Sequence, residues 1–450
     1  MKLDQKFQLV EGFNEPRSVV VIASFPGKKN RSIKEIDAIA SYTDHFTRSF
    51  QKTLASTNQK LIVLAQKIDG EEEWYIENGM LICRVWDKGS PLCFFQIFTT
   101  LLFFRNVKTL LVQFEFHQFG GNINTGLFPL FLTTLRVWQK SFTLVLHQVV
   151  TDITSLSGHL NIAPNTKRAW FFNKALLSFY KMTAKASPTI VVHNAILGKR
   201  LEQMTGRDDA IVIPHGLGAI PNHYTKKNAK TKLGYTRDDF VVLYFGFLTW
   251  YKGADWLVEE FAQSRKKNIK LLIAGGISPN LKDIPHYQRF IDRIQKHVDA
   301  NTSINLTGFV EDEDISLYCQ AADVVVLPYR TLMSSSGPLA MILSFKKPFL
   351  ISDALREYTK DQDFATSLKQ ARLTSGDITF RLRHQDFWYK LMKVKRHPNR
   401  YKRLSTLLRA SRVWSTVAKR FHEVAEDSHF AHEGKSAIMR KGSLSYARFT

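Results

Sequence analysis

The sequence predicts an α/β fold built from two Rossmann-like domains, and three observations carry this prediction. Apolar, β-rich runs alternate with helical patterns along most of the 450 residues, as a parallel sheet with crossover helices requires. Three Gly-marked strand, turn and helix motifs follow one another within residues 241–353. Residues 211–239 form a strand followed by a stretch rich in Gly, Pro, Asn and Lys, which separates two such series and indicates an exposed connection.

The first series predicts a domain over residues 1–212. Its predicted strands cover residues 18–25, 60–66, 109–115, 142–147 and 189–194, and a helical pattern covers residues 33–55. The most apolar run, residues 92–104, is well short of the roughly 20 residues needed to cross a bilayer, so it predicts a buried helix.

The second series predicts a domain over residues 213–384, followed by a helical segment over 385–426. Predicted strands cover residues 240–246, 269–276, 304–310, 322–329 and 348–353. An amphipathic pattern over residues 407–426 is centred on Trp414. Residues 427–450 are polar and aperiodic, which predicts a basic disordered tail.

Charge and cysteine content restrict the protein's surroundings and partners. The net charge is +23, and the final 70 residues hold 17 Lys and Arg against 5 Asp and Glu. This excess favours contact with an anionic membrane surface, although a solvated tail explains it equally well. The charged N-terminus lacks the apolar core of a signal peptide, and three cysteines without metal or redox spacing predict buried thiols. We therefore expect a cytoplasmic protein, with the inner face of the membrane as a candidate location.

The three Gly-marked motifs predict a nucleotide-diphosphate site. They occupy residues 241–253, 306–330 and 334–353. Each joins a buried strand to a Gly turn and then to a helix, which is how a doubly wound sheet presents backbone N–H groups to phosphate.

The order of these motifs resembles the C-terminal half of the retaining glycosyltransferases of the GT-B fold (glycosyl transferases group 1, family 4-like). The resemblance extends upstream through residues 111–122, 142–149, 189–194 and 211–218. It implies two domains facing across a cleft, with a C-terminal helix that crosses back to the first domain. It also implies transfer of a hexose from a nucleotide-sugar donor to a glycan or lipid-linked acceptor, without a metal ion or other cofactor.

Lys252 and His147 are the candidate catalytic residues. Lys252 stands where a fixed cation neutralises the departing diphosphate, and a lysine at a helix start otherwise opposes the helix dipole. His147 ends a predicted strand and resembles the histidine that touches the donor sugar in the family; a satisfied structural histidine is the alternative. His193 and His215 are weaker candidates, and His215 is expected to order the interdomain turn.

Donor binding is assigned to backbone and side-chain groups of the three motifs. By resemblance, Phe309 and Val310 contact the nucleobase, while Arg330 replaces an arginine that the family carries before the lysine or, equally, forms a structural salt bridge. Met333 and Met341 occupy the places of two glutamates common in relatives, which leaves the donor open. The donor-binding residues proposed are Gly246, Phe309, Val310, Arg330, Ser336, Gly337 and Leu339.

The first predicted strand-to-helix loop is the candidate acceptor site. Its one glycine, Gly27, is followed by the cations Lys28, Lys29 and Arg31. Two interpretations are open: these cations bind an anionic acceptor, or they form a solvated basic loop. A catalytically impaired binding or scaffold protein of the same fold is the competing interpretation, because the glutamates and one cation are missing. Nucleic-acid binding ranks last, because no aromatic-basic platform or recognition helix accompanies the charge.

Overall fold

The computed structural model describes residues 3–28, 38–116, 118–138, 140–156, 165–218, 220–266, 268–278, 281–311, 313–332 and 336–432. Within these ranges the chain forms two sheets with helices on both faces. The first sheet has eight strands in the order β3-β4-β2-β1-β5-β6-β7-β8, and the second has six in the order β11-β10-β9-β12-β13-β14. The change from one sheet to the other falls between Val212 and Phe240.

Buried apolar runs form the first sheet. Its strands are β1 (Val19–Ile22), β2 (Leu61–Gln66), β3 (Trp74–Glu77), β4 (Met80–Trp86), β5 (Thr109–Phe114), β6 (Ser141–Leu146), β7 (Thr189–Val192) and β8 (Ile211–Val212). Its helices are α1 (Leu3–Phe13), α2 (Ala38–Ala55), α3 (Cys93–Phe103), α4 (Asn122–Val137), α5 (Lys167–Ala186) and α6 (Ala195–Thr205). The strands are parallel except for the β3–β4 pair.

The second sheet is entirely parallel. Its strands are β9 (Phe240–Phe245), β10 (Ile269–Ala274), β11 (Ile304–Leu306), β12 (Val324–Leu327), β13 (Phe349–Ser352) and β14 (Thr379–Phe380). The helices from the interdomain connection onward are α7 (Lys226–Lys232), α8 (Ala254–Ala262), α9 (Pro285–Asp299), α10 (Ile315–Ala321), α11 (Gly337–Ser344), α12 (Gln362–Ala371), α13 (Ser375–Ile378), α14 (His384–Arg396), α15 (Pro398–Arg412) and α16 (Trp414–His432). Short 3-10 segments lie at Ile153–Leu156, Trp250–Lys252 and Asp353–Lys360.

The β3–β4 hairpin was not predicted from the sequence. Its turn is Asn78–Gly79, and both residues have positive φ, 50° and 77°. Two consecutive residues with positive φ form a hairpin turn whose twist matches that of the flanking strands. The Asn-Gly pair was therefore a sequence signal for this hairpin.

The C-terminal crossing is confirmed, with one correction to its helices. The expected single segment over residues 407–426 is two helices, because Val413 is extended between α15 and α16. Trp414 therefore begins a helix, and its indole is buried beside Tyr42 of α2, with ring centroids 5.1 Å apart. The helix continues to His432, beyond the expected start of disorder at residue 427, and residues 433–450 lie outside the described part.

The expectation of a buried helix over residues 92–104 is only half correct. One side of α3 packs on the sheet through Phe94, Ile97 and Leu101. The opposite side exposes Phe95 and Leu102, which are 64% and 49% accessible. Apolar residues lie on more than one side of this helix. The sequence does not show which of those sides is packed against the rest of the protein and which is exposed.

The remaining expectations on bulk properties concern thiols and membrane spans. Cys83, Cys93 and Cys319 are free and buried, as predicted. Burial raises the pKa of the Cys93 thiol to about 11 and that of Cys319 to about 12. Among the helices described, none combines the length and apolar character required to cross a bilayer.

Candidate functional site

The carboxyl ends of the central strands in the second sheet are built from closely packed glycine backbones. A side-chain Cβ at Gly275 would lie 2.0 Å from the Gly246 oxygen, and one at Gly276 would lie 2.7 Å from the Phe309 nitrogen. Gly246 and Gly308 have φ of 121° and 77°, a region that favours glycine. Only glycine permits this approach, so the sequence leaves an uncovered backbone surface at the strand ends.

Lys252 lies beside that surface at the end of a short 3-10 turn after β9. The turn is held by two buried hydroxyls: Tyr244 donates to the Phe247 oxygen at 3.0 Å, and Tyr287 donates to the Leu248 oxygen at 2.7 Å. A Cβ at Gly246 would be 3.2 Å from both Lys252 Nζ and Pro338 Cγ. The ammonium therefore lies between the end of β9 and the first turn of α11.

The ammonium of Lys252 has no acidic partner in the described part of the chain. No carboxylate there lies within 4.0 Å of Lys252 Nζ. The ring centroids of Phe247 and Tyr251 lie 5.9 Å and 5.8 Å from this atom. Burial lowers the pKa of Lys252 to about 8. A half-buried cation without a counter-charge is costly, which makes this position suited to an anionic ligand.

Arg330 reaches the same strand ends but is already paired. Its guanidinium donates two hydrogen bonds to the Asp255 carboxylate, at 2.7 Å and 2.9 Å, and one to the Trp250 oxygen at 2.6 Å. Its backbone N–H donates to the Tyr251 oxygen at 2.7 Å. Of the two roles left open by the sequence, the geometry favours the salt bridge, and Arg330 acts by holding the turn that carries Lys252.

Ser336 caps α11 and has most of its polar groups occupied. Its hydroxyl accepts from the Leu339 N–H at 3.2 Å and lies 3.1 Å from the Tyr329 hydroxyl, while its own N–H donates to the Tyr358 hydroxyl at 3.2 Å. The Leu339 N–H is thus committed to the cap, contrary to the expectation that it is free for a diphosphate. Gly337 begins the helix, so its N–H has no acceptor within the helix, and the space around its Cα is open.

The proposed nucleobase residues lie against the part of the glycine surface formed by Gly276. Phe309 and Val310 follow β11 and are half-buried. The ring of Phe309 is 6.1 Å from that of Phe247. The structure therefore places these residues beside the turn that leads to Lys252.

His147 follows β6 and lies in a buried cluster of rings in the first domain. Its Nδ1 is 3.2 Å from His193 Nε2, and its Nε2 is 3.1 Å from the Gln113 side-chain amide. The ring of Tyr42 packs against it edge-on, with centroids 4.6 Å apart. Burial, together with the nearby His193 and His215, holds the pKa of His147 well below its usual range, so the ring is neutral.

Hydrogen-bond direction in this cluster follows from one backbone carbonyl. The Ile213 oxygen accepts from His193 Nδ1 at 3.0 Å. Burial lowers the pKa of His193 to about 3, so the neutral ring accepts at Nε2, and His147 must donate from Nδ1. His147 Nε2 is then an acceptor that faces the acceptor oxygen of Gln113, so only Nδ1 makes a hydrogen bond in this arrangement. The ring is 5% exposed, and this burial favours the structural role over direct contact with a sugar.

Glu115 is a cleft residue to which the sequence assigned no role. It follows β5, and its carboxylate accepts from Gln148 Nε2 at 2.5 Å. Burial, against a hydrogen bond with Thr249 that lowers it and with a smaller contribution from the Glu115 carboxylate, raises the pKa of Tyr251 to about 12. Glu115 therefore lies within electrostatic range of the residue that precedes Lys252.

The predicted acceptor loop is described only in part. Lys28 donates to the Glu72 carboxylate at 3.1 Å and lies 3.8 Å above the ring of Tyr75. It is therefore engaged within the first domain. Lys29 and Arg31 lie outside the described residues, as does Met333.

Direct contacts between the domains lie next to the α11 cap. Arg200 of α6 donates to the oxygens of Val149 and Leu332, at 3.1 Å and 2.8 Å. Asn194 donates to the Tyr358 hydroxyl at 3.3 Å. Because Tyr358 also binds the Ser336 N–H, the first domain helps to position the start of α11.

Asp361 is a further contact between the domains, and it predicts a pH dependence of stability. Its carboxylate accepts from the Ala195 N–H at 2.8 Å, and Arg412 Nη2 is 3.7 Å away. Burial raises the pKa of Asp361 to about 7, although Arg412 and the Ala195 N–H lower it and Asp363 raises it. A carboxyl titrates near 4 in the unfolded chain, so the folded state binds more protons between about pH 4 and 7 and loses stability as pH rises.

Asp361→Asn should remove this loss, since a neutral amide replaces the carboxylate. We expect the variant to gain on the order of 2 to 4 kcal/mol relative to the unmutated chain as pH rises from 4 to 8. Urea unfolding at both pH values measures the difference. An offset between the two proteins that does not change with pH would contradict the raised pKa.

No group of three or more His, Cys, Asp or Glu side chains suited to a metal ion is found among the described residues. The cation that the geometry does supply at the glycine surface is Lys252.

Comparison with known proteins gives a family-model match to part of the second domain and a fold for nearly the whole chain. A family model described as glycosyl transferases group 1 matches residues 239–371. Among solved structures, sucrose-phosphate synthase from Thermosynechococcus elongatus has a TM-score of 0.65 at 14% identity, covering 92% of this chain and all of that one. A search of curated proteins gave no match.

Two further solved structures show the same likeness. Anabaena HepE, in complex with UDP and glucose, has a TM-score of 0.59 at 12% identity and covers 91% of this chain and 99% of its own. WaaG, a glycosyltransferase involved in lipopolysaccharide biosynthesis, has a TM-score of 0.56 at 12% identity, covering 90% and 99%. The fold expected from the resemblance is thereby confirmed as GT-B, and residues 239–371 match a glycosyltransferase family model.

Proposed function

We propose that this protein transfers a hexose from a nucleotide-diphosphate sugar to a glycan or lipid-linked acceptor, with retention of configuration and without a metal ion. The observation that carries the proposal is Lys252: a half-buried ammonium without an acidic partner in the described chain, between the Gly246 backbone and the first turn of α11. Sugar transfer separates an anionic diphosphate from an oxocarbenium-like carbon, and a preorganised cation lowers that barrier. Lys252 supplies at the diphosphate the positive charge that other transferases take from a metal.

The α11 terminus supplies a second, weaker interaction for the same diphosphate. The N-terminus of a helix attracts negative charge, and the Gly337 N–H points out of the helix. Because Ser336 uses its hydroxyl for the Leu339 N–H, the cap rigidifies this end. Lys252 and Gly337 thus form the donor diphosphate site in our proposal.

Retention and the absence of a metal requirement rest on the family resemblance and on the position of Lys252. Resolving the anomeric configuration of the product by NMR tests the first. Transfer that persists in the presence of a chelator tests the second.

Nucleotide binding is the first test. The HepE structures hold UDP, UDP with glucose, or UDP-glucose, so uridine donors lead the panel, followed by guanosine, adenosine and thymidine equivalents. A ligand at 100 times its Kd stabilises the folded protein by about 2.7 kcal/mol, so one nucleotide class should raise the thermal midpoint. The shift should disappear in Lys252→Ala and persist in Lys360→Ala, which alters a surface lysine paired with Glu357. Absence of a shift with every nucleotide would contradict the proposal.

A binding or scaffold protein without transfer activity is the second candidate. It is favoured by the pairing of Arg330 with Asp255, by the use of the Leu339 N–H in the cap, and by Met341 in place of a polar residue. It predicts a thermal shift with nucleotide sugar but no release of nucleotide diphosphate. Measuring both quantities on one sample separates the two candidates.

A cytoplasmic location at the inner face of the membrane completes the proposal. Its support is a group of exposed cations around the turn between α14 and α15, which includes Lys395, Arg396, Arg400 and Lys402. Lipid headgroups of opposite charge would attract this basic surface, and salt should weaken the contact.

A further inference from the structure

The first domain has an outward surface that combines apolar side chains with cations. The described part of the chain exposes 14 large apolar side chains. Nine of them belong to α3, α4 and α5, and a tenth is Leu92, the residue before α3. These helices are neighbours: α3 meets α4 through Phe94 and Phe131, with ring centroids 4.9 Å apart, and α4 packs on α5. We call the exposed side of these three helices the outer face.

Helical spacing arranges the apolar residues into stripes. On α4, Ile123, Leu130 and Val137 recur every seven residues, are 68%, 53% and 77% exposed, and thus share one side. On α3, Phe95 and Leu102 have the same spacing. The apolar stripes thus lie on neighbouring helices and make up an apolar patch, and patches of this kind mark protein or membrane contacts.

Cations interrupt the patch on α5. Lys167, Lys174 and Lys181 also recur every seven residues and are exposed, next to the exposed Trp170 and Phe171. Lys174 Nζ lies 5.9 Å from the ring of Trp170. Long basic side chains beside exposed aromatic rings are typical of helices that lie in a membrane interface, where the rings enter the acyl boundary and the ammonium groups reach the headgroups.

Acidic residues are absent from these helices. The 47 residues of α3, α4 and α5 contain six Lys and Arg and no Asp or Glu, although the whole chain has 40 acids. Two copies of this chain that paired through the outer face would bring cations together without a carboxylate from any of the three helices. An anionic surface is the better complement.

We propose that the outer face is a monotopic membrane-binding surface, in which the apolar stripes of α3 and α4 enter an anionic lipid bilayer and the lysines of α5 contact its headgroups. The inference goes beyond the proposed transfer reaction and does not rest on it, because lipid binding is measured without donor or turnover. It also differs from recruitment by the basic C-terminal helices, which expose cations but, within the described chain, only one large apolar side chain, Tyr389.

Vesicle flotation with the full chain tests the proposal. The vesicles are phosphatidylcholine alone or phosphatidylcholine mixed with phosphatidylglycerol. We expect flotation with the mixed vesicles, and a loss of roughly tenfold or more in bound protein for Phe95→Ser/Leu102→Ser and for Lys174→Glu/Lys181→Glu. Because these side chains point outward, the thermal midpoints of both variants should stay near that of the unmutated chain.

Matched controls assign the contact to a surface. Ile76→Ser removes an exposed apolar residue of β3, and Arg293→Glu/Lys296→Glu reverses the same number of charges on α9, outside both proposed membrane contacts. Both should float like the unmutated chain. Brominated lipids should also quench tryptophan emission, and Trp170→Phe should lose that quenching.

Three results would overturn the proposal. The first is flotation that the outer-face variants leave unchanged while Arg400→Glu/Lys402→Glu abolishes it, since contact would then lie on the C-terminal helices. The second is a dimer by light scattering that Phe95→Ser/Leu102→Ser dissociates, which would make the outer face a protein interface. The third is neither flotation nor self-association of the unmutated chain.

Discussion

Replacing Lys252 with alanine is expected to reduce the rate of sugar transfer by about two to three orders of magnitude, the loss seen when one preorganised charge-stabilising group is removed. The ammonium lies beside the Gly246 backbone and has no carboxylate partner in the described chain, whereas the guanidinium of Arg330 is already paired with Asp255. Initial rates with the donor identified by thermal shift give the measurement. Lys360→Ala is the matched control and should transfer at the unmutated rate.

A pH profile separates a chemical role for Lys252 from a structural one. Burial lowers the pKa of Lys252 to about 8, so the free enzyme should lose activity as pH rises through 8 and the ammonium deprotonates. Lys252→Arg keeps the charge at all accessible pH values while altering its geometry, so it should retain part of the activity and lose the alkaline decline. If Lys252→Ala transferred sugar at the unmutated rate, the scaffold interpretation would be preferred.

Replacing Arg412 with leucine should cause the largest loss of stability, about 3 to 5 kcal/mol. Arg412 is 4% exposed and donates two hydrogen bonds to Asp363, at 2.6 Å and 2.9 Å, with Asp361 at 3.7 Å. Burial raises the pKa of Asp363, but Arg412 outweighs that effect and holds it below its usual value. Without the guanidinium, the buried carboxyls of Asp361 and Asp363 lose the positive charge that Arg412 supplies.

Urea unfolding of the full chain measures this loss. Arg412→Leu/Asp363→Leu should recover much of it, because the pair is removed together and no unpaired charge remains at Asp363. Arg409→Leu, a half-buried position one turn earlier on α15, should cost far less, since Arg409 has no carboxylate within 4.0 Å in the described chain. Equal losses for Arg409→Leu and Arg412→Leu would show that the ion pair is not responsible.

The prediction of the fold succeeded where the pattern is local. The strands of both sheets are runs of buried Val, Ile and Leu, and their order with intervening helices gives the two parallel sheets. The β3–β4 hairpin was missed although β4 is a buried strand of seven residues and Asn78–Gly79 was a local turn signal. The exposed side of α3 was missed for a different reason: an apolar sequence does not show what covers it.

The sequence predicted where the candidate site lies, but it did not predict which of its polar groups are already paired. Lys252, Gly246 and the start of α11 come together as the motif order implied. Arg330 and His147 reach their predicted strand ends, but their partners, Asp255, His193 and Gln113, lie 34 to 75 residues away in the chain. Sequence separation of that size hides which polar groups are already satisfied.

By itself, the sequence determined which residues can form the glycine strand ends, which runs are buried, and that the chain carries a large excess of positive charge. Those properties depend on residue type and near neighbours. Tertiary structure decided that Lys252 is left without a carboxylate partner in the described chain while Arg330 is paired, and that His147 is buried among other rings. It also brought the acid-free sides of α3, α4 and α5 together on one surface. The physical reason is that pairing, burial and desolvation are set by groups distant in the chain, and they exist only once the two sheets have formed.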